Sequence, residues 1–392
     1  MPADPPALPE TLPAPPDGQP DLLIVAGEHS GDEHAARIVK DLREAHPSMR
    51  ISAVGGPQLE AAGAHQVFDL TGQSVIGLVE VLKHYRFFRE LFCKVIDWVR
   101  EHRPRNILFV DYPGFNLRLA EALVGAGLAR KGGGEIPLLY YISPQIWAWK
   151  AKRRFKMARS IDALGVIFPF EVASYSDTDL DVTFVGHPFV SEDFENKLSY
   201  DPEAPILLLP GSRVQPVLRI FPVLLQVYEA LLDRRTTQEA TVIFPSDAIE
   251  HTLETVLARF PKARGRLTLV HNSEKVAGSA VIMSSGTMSL AVALAGIPGS
   301  IVYKLHPMTY WLGRVLVNVP YIGIANLLLP DPIHPEFIQF VKRDALVADL
   351  IASLEDPRRL KRTRNAAEAL RALLETNGDR TAATWLLSKM QR

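Results

Sequence analysis

Several short stretches carry residue types that can do chemistry, each directly after an apolar run. Asp111-Tyr112-Pro113-Gly114-Phe115-Asn116 follows Ile107 to Val110. A carboxylate at the end of a buried strand can act as a general base within hydrogen-bond reach of a hydroxyl; the other reading of Asp111 is an acid that bonds turn amides. Gly27-Glu28-His29-Ser30-Gly31-Asp32 follows Leu22 to Ala26. Its glycines allow tight turning, and Ser30 or Asp32 can cap the next helix. It is not the dinucleotide fingerprint, which needs three glycines at other spacings.

Tyr141-Ile142-Ser143-Pro144-Gln145-Ile146-Trp147-Ala148-Trp149 runs into Lys150, Lys152, Arg153 and Arg154. Two tryptophans beside four cations fit a surface that receives a sugar, an acyl chain or an anionic lipid; they equally fit indoles plugging a core beneath a solvated basic helix. Leu209-Pro210-Gly211-Ser212-Arg213 sets a glycine turn and an arginine before a helix, a combination that suits a diphosphate. Ser284-Ser285-Gly286-Thr287 offers hydroxyls and amides to the same kind of anion. Together they suggest a nucleoside-diphosphate pocket.

Other patterns do not lead to a site. Asp177-Thr178-Asp179 and Asp179-Leu180-Asp181 match Asp-x-Asp but fall in a short polar loop, where solvated acids are expected. His29, His34, His187, His306 and His334 lack zinc spacing. Gly186-His187-Pro188 reads as a hinge or loop, and neither a GxSxG elbow nor a Walker lysine occurs.

The elements that must position these residues alternate. Continuous apolar runs, each followed by an amphipathic stretch, predict parallel sheets covered on both faces. The alternation restarts after Pro202, with a boundary expected between Phe189 and Pro205. The chain therefore reads as α/β: a proline-rich leader at 1–20 expected to be disordered, two Rossmann-like doubly wound domains at 21–195 and 200–344, and a helical tail at 345–392. Tandem domains of this kind place a cleft between them, with ligands beyond the carboxyl ends of the strands.

Composition limits the function classes. The 392 residues are 47% hydrophobic and 22% charged with a net charge of −1, which gives no case for a nucleic-acid binder. The single Cys93 excludes an intrachain disulfide. No apolar stretch reaches the roughly 18 residues of a membrane span; Ala291 to Tyr303, the longest candidate, is broken by Gly296, Pro298 and Gly299. Leu78 to Val99 interleaves Leu82, Tyr85, Phe87, Phe88, Leu91 and Phe92 with Lys83, Arg86 and Arg89. It fits a helix lying on an anionic bilayer, or a core helix with a cationic outer face.

In order, these pieces resemble the lipid-A-disaccharide synthase family of GT-B glycosyltransferases. The resemblance is carried by Gly27-Glu28-x-Ser30-Gly31-Asp32, Gly55-Gly56-Pro57, Gly77-Leu78-Val79-Glu80-Val81-Leu82, Asp111-x-Pro113-x-Phe115-Asn116, Ser143-Pro144-x-x-Trp147-Ala148-Trp149, Pro169-Phe170-Glu171, Gly186-His187-Pro188, Leu209 to Arg213, Ser285-Gly286-Thr287, Asn326-Leu327-Leu328 and Pro335-Glu336-Phe337-x-Gln339. It spans roughly 22–339.

The resemblance implies an inverting, metal-independent transfer from UDP-2,3-diacylglucosamine to 2,3-diacylglucosamine 1-phosphate (lipid X), with no cofactor. It makes Asp111 the expected base and Glu28 a nearby essential acid. It places Gly211, Ser212, Arg213, Ser285, Gly286, Thr287, Asn326 and Gln339 around UDP, and Ser30, Gly31, Asp32, Asn116, Trp147 and Trp149 at the acceptor side. Leu82, Tyr85, Arg86, Phe87, Phe88 and Arg89 become a membrane contact on the cytoplasmic face of the inner membrane. C-terminal helices are expected to return to the N-terminal domain and to be exchangeable between subunits of a homodimer. Three positions depart from the family pattern: Ala291 where a glutamate is usual, Pro216 near another usual glutamate, and His29 in place of a small residue. The alternatives are another GT-B UDP-sugar transferase, a UDP-sugar 2-epimerase, or a non-catalytic homologue.

Overall fold

The computed structural model describes residues 8–71, 85–191, 194–305, 310, 319–376 and 381–390. The chain forms two units, Met1–Pro188 with Thr376–Arg392, and Phe189–Glu375.

The first unit is built on a seven-stranded parallel sheet. Its strands are β1 (Leu22–Ala26), β2 (Ile51–Gly55), β3 (His65–Asp69), β4 (Ile107–Val110), β5 (Leu138–Tyr141), β6 (Ala163–Val166) and β7 (Asp181–Phe184), in spatial order β3-β2-β1-β4-β5-β6-β7. Every residue of β1, β2, β4, β5 and β6 is buried, as expected of strands covered on both faces. The helix His29–Ala45 buries Ala35, Ile38, Val39 and Leu42, one stripe at helical spacing.

Two expectations change here. The leader is not wholly without structure, because residues 8–20 pack. Leu12 is buried in the unit's core, and the indole of Trp98 donates to the Pro13 carbonyl at 2.8 Å. Lys94 Nζ donates to the carbonyls of Pro9 and Glu10. The helix Tyr85–His102 supplies these donors to the carbonyls of the proline-rich segment. That helix also turns its aromatic side inward. Leu91, Val95, Trp98 and Val99 are buried, and Phe87, Phe88 and Phe92 pack partly on the same core. Phe87 meets Phe68 at 6.2 Å and Phe92 meets Phe115 at 5.8 Å between ring centroids. Arg86 and Arg89 are exposed. Leu82 and the side chain of Tyr85 lie outside the described residues.

The helical tail divides. The helices Arg343–Glu355 and Pro357–Leu374 belong to the second unit, and Ala382–Lys389 to the first. Trp385 is buried against Gly165 of β6, where a Cβ would come 3.0 Å from the indole. Lys389 pairs with Asp181 of β7 at 2.5 Å.

The second unit has a six-stranded parallel sheet of β9 (Ile206–Leu209), β10 (Ala240–Phe244), β11 (Leu267–His271), β13 (Val281–Ser284), β14 (Gly299–Tyr303) and β15 (Glu336–Ile338), in order β11-β10-β9-β13-β14-β15. β8 (Leu198–Tyr200) and β12 (Val276–Gly278) form a separate parallel pair. The helix Val214–Leu232 is long and apolar enough to cross a membrane by length and composition, a feature the sequence reading passed over. Val217, Ile220, Phe221, Leu224, Leu225 and Tyr228 bury its apolar side in the unit's core.

Candidate active site

Each sheet reverses its strand order once. In the first unit the chain moves outward from β1 through β2 to β3, then resumes at β4 on the other side of β1. The second unit repeats this with β9 and β13. Such a reversal leaves a crevice beyond the carboxyl ends of the two central strands. Ala26 of β1 is in register with Val110 of β4, so Glu28 and Asp111 leave the sheet side by side. Leu209 pairs with Met283, so Gly211-Ser212-Arg213 and Ser285-Gly286-Thr287 do the same in the second unit.

The turn at Asp111 is held in an uncommon shape. Asp111 and Tyr112 both have φ of 46°, a left-handed conformation that L residues rarely adopt. Asn116 secures it. Its side-chain amide donates to the carbonyls of Asp111 at 2.8 Å, Val110 at 3.2 Å and Val25 at 3.3 Å. The Tyr140 hydroxyl donates to the same Asp111 carbonyl at 2.5 Å. Opposite, Gly27 must lack a side chain, since a Cβ there would come 2.0 Å from the ring of Tyr112. The outcome is a carboxylate pushed up to about 6, chiefly by burial and then by the negative charge of Glu28, with the Tyr112 amide opposing both.

Asp111 stands on the wall of a pocket of about 250 Å³ that also includes Ser143, Gln145, Trp149, Arg153, Phe168 and Glu171. Glu171, which the sequence shows only as the end of Pro169-Phe170-Glu171, is a further candidate because it lines this pocket. It is 1% exposed, and burial pushes its carboxyl up to about 8. One oxygen accepts from the Phe168 amide at 3.1 Å and the other from the Trp147 indole at 3.3 Å. Ser143 and Tyr175 share a buried hydrogen bond of 2.7 Å. The tryptophans split between the two readings open in the sequence. Trp147 is half-buried against Phe170, whereas Trp149 is 43% exposed, with Lys150 over its ring at 4.2 Å and Arg153 at 5.3 Å. His187 packs against Phe168 at 5.2 Å, and burial pushes it down to about 3, so this loop holds a neutral imidazole.

Asp32 lies elsewhere in role. It is 1% exposed, and its carboxylate accepts from the amides of Gly56, Gln58 and Leu59. It thereby caps the helix Pro57–Ala61, and a Cβ on Gly56 would strike it at 2.5 Å. Ser30 is exposed, and a Cβ added at Gly31 would lie 3.5 Å from the Val110 carbonyl.

In the second unit Gly211 has φ of 113° and sits 3.1 Å, measured from an added Cβ, from Ser284 Oγ. The positive φ, more than the space, favours glycine at this turn. Ser212, Arg213, Gly286 and Thr287 are exposed, and Arg213 pairs with no carboxylate among the described residues. Ser285 Oγ donates to the Ile322 carbonyl at 2.8 Å. Asn326 and Gln339 have their amides committed. Asn326 donates to His334 O and Glu336 Oε1 and accepts from the amides of Ile333 and His334. Gln339 exchanges both bonds with Leu305, at 3.0 and 3.2 Å. Their observed bonds shape the loops around β14 and β15.

The sequence model of the lipid-A-disaccharide synthetase family matches residues 22–388. The chain is 33% identical over 384 residues to the lipid-A-disaccharide synthase of Nitrosococcus oceani, covering 94% of this chain and 96% of that one. It belongs to the lipid-A-disaccharide synthetase family. Among solved structures, the glycotransferase of kitacinnamycin superposes with a TM-score of 0.55 at 13% identity, covering 94% of this chain and 99% of the other. A UDP-GlcNAc 2-epimerase from Neisseria meningitidis gives 0.54 at 10% identity, covering 90% and 98%. At these identities the likeness shows the fold, that of GT-B glycosyltransferases and epimerases.

Family membership gives two of the departures a physical setting. Ala291 is 5% exposed and packs in a core cluster with Val292, Leu207 and Met283, so its side chain faces the interior. Pro216 lies in the first turn of the helix Val214–Leu232, where a backbone N–H has no partner within the helix. It leaves the helix intact and removes one amide donor from its N-terminus.

Proposed function

We propose that the protein transfers 2,3-diacylglucosamine from UDP-2,3-diacylglucosamine to 2,3-diacylglucosamine 1-phosphate, giving the β-1,6-linked lipid A disaccharide 1-phosphate and UDP. The observation that carries this reading is the pair Asp111 and Glu28 at the reversal point of the first sheet, with Asp111 on the pocket wall. In the proposed step the acceptor 6-oxygen forms a bond to the donor's anomeric carbon as the bond to UDP breaks. Its proton passes to Asp111, and the electron pair leaves on the diphosphate. Attack opposite the leaving group inverts the anomeric centre without a metal. A carboxylate near 6 is mostly ionised at neutral pH and more basic than an ordinary aspartate, which suits a base.

For the donor we propose Arg213 as a bidentate partner of the diphosphate, with the turns Gly211-Ser212 and Ser285-Gly286-Thr287 supplying amides and hydroxyls. Asn326 and Gln339 act by holding the neighbouring loops. Peripheral contact with the cytoplasmic face of the inner membrane is part of the proposal. In the described part of that segment it rests on exposed Arg86 and Arg89, because Phe87 and Phe88 face the core. Contact of that kind weakens with salt. Exchange of the Ala382–Lys389 helix in a homodimer would make the Trp385 contact with Gly165 between subunits.

The test is turnover with both acylated substrates, following UDP release and disaccharide formation. Epimerisation of UDP-GlcNAc, or binding of the substrates without turnover, would replace this reading.

A further inference from the structure

The pocket that holds Asp111 has a second chemical character that the base does not use. Arg153 lines it, as does Trp149, and the guanidinium lies 5.3 Å from the indole centroid. Lys150 covers the same ring at 4.2 Å. Asp111 and Glu171 line the same pocket without an ion pair to any described residue, and the acids beside the basic helix are spent on other cations. Arg154 takes both oxygens of Asp177 at 2.6 Å, and Lys156 pairs with Glu121 at 3.3 Å. Among the described residues neither Arg153 nor Lys150 pairs with a carboxylate. The charge of Arg153 also opposes the rise of the buried Tyr140 hydroxyl, the group bonded to the Asp111 carbonyl.

A guanidinium held over an indole by a cation–π contact and free of a carboxylate partner keeps its planar fork available for a ligand. Such a fork matches phosphate oxygens bidentately. A pocket with a base on one wall and this fork on another suits a ligand with a free hydroxyl and a phosphomonoester at different corners of one sugar ring. We propose that Arg153, steadied by Trp149 and supplemented by Lys150, binds the phosphomonoester of the acceptor and so sets the enzyme's preference for a phosphorylated acceptor. This rests on the functional reading above and deepens it: Arg153 is a specificity-determining residue, and Trp149 positions it.

The experiment compares 2,3-diacylglucosamine 1-phosphate with its 1-hydroxyl counterpart at saturating donor, in detergent micelles. It uses the wild type, Arg153→Ala and Arg153→Lys. Charge-assisted hydrogen bonds of this kind predict a wild-type preference in kcat/KM of about 10- to 100-fold for the phosphorylated acceptor. Arg153→Ala should bring that ratio close to one, mainly through the acceptor KM, and Arg153→Lys should restore part of it. The donor KM in the same preparations reports whether each variant is folded. Equal loss on both acceptors, or an unchanged ratio, overturns the subsite while the functional reading stands. No wild-type turnover with either acceptor overturns the functional reading and the subsite with it. Retention on phosphatidylglycerol vesicles is measured alongside. An Arg153→Ala protein that loses vesicle binding but keeps the acceptor ratio would assign the guanidinium to lipid headgroups and overturn the proposal.

Discussion

Asn116 places its side-chain nitrogen 2.8 Å from the backbone carbonyl of Asp111, five residues earlier, and holds that aspartate in a left-handed turn. The same nitrogen reaches the last residue of β4 and the penultimate buried residue of β1, so one amide gathers the ends of both central strands. The carboxylate's position thus depends on a residue that lies beneath it and is fully buried.

Asn116→Ala should therefore lower turnover without removing the base. The buried carbonyls left unpaired cost about 1–3 kcal/mol of stability, and the turn relaxes toward ordinary φ values. Thermal unfolding should show the stability loss, and UDP affinity should be close to that of the wild type because the donor turns lie in the other unit. Unchanged turnover in a destabilised Asn116→Ala protein would reduce Asn116 to a purely structural residue.

Arg213→Ala should raise the donor KM far more than the acceptor KM. Loss of a charge-assisted pair corresponds to about 1.5–3 kcal/mol, or roughly 10- to 100-fold. Lysine should rescue poorly, since a point charge lacks the planar fork. UDP titration of Arg213→Ala and Arg213→Lys checks this, and wild-type affinity in the alanine variant would remove Arg213 from the diphosphate site.

Glu171 gives a stability prediction whose sign follows from its raised pKa. The folded state keeps its proton to about pH 8, whereas an unfolded glutamate loses it near its ordinary value of 4.5. Between those values the folded state binds more protons, so its stability falls as pH rises. Glu171→Gln cannot ionise and should lack that decline, on the order of 1 kcal/mol or more. Denaturant midpoints of both proteins at pH 5 and pH 8 are the measurement. Parallel pH dependence would mean that Glu171 is not held protonated.

Much of the frame was legible in the sequence because buried parallel strands leave an unambiguous signal. LLIVA and ILFV end directly before Gly27 and Asp111, and ILLL ends before Pro210-Gly211, each at a strand that flanks a reversal point. Residue type and the strand ends also put Asp111 and Glu28 beside one reversal point and Arg213 beside the other. The backbone contacts of Asp32, Asn326 and Gln339 were not legible, because an acid or amide that bonds distant backbone has the same local sequence as one that does not. Only tertiary contacts 24 residues apart, as from Asp32 to Gly56, separate the two cases. Phe87 and Phe88 show the same limit: a basic, aromatic helix reads alike whether its rings meet lipid or Phe68. Glu171 escaped a role because nothing in Pro-Phe-Glu shows that its carboxyl is buried beside an indole.

The assignment of the base can be decided by combining substitution with pH. A neutral hydroxyl is a weak nucleophile, so its proton must be taken in the transition state, and positioned base catalysis contributes about 10²–10⁴-fold. Asp111→Asn keeps the shape of the side chain and cannot accept that proton, so it should lose at least this much turnover while still binding UDP. In the wild type, kcat/KM should rise with pH as Asp111 ionises, with an acid limb centred at about 6. Glu28 contributes to that value by repelling the charge on Asp111. Glu28→Gln should accordingly move the acid limb to lower pH, a shift that removal of a structural contact alone would not produce. If Glu28 were the base, Glu28→Gln would abolish the limb together with turnover, and Asp111→Asn would remain near normal. The two variants, each followed across pH 4.5 to 8 with UDP affinity beside turnover, therefore give opposite patterns for the two assignments.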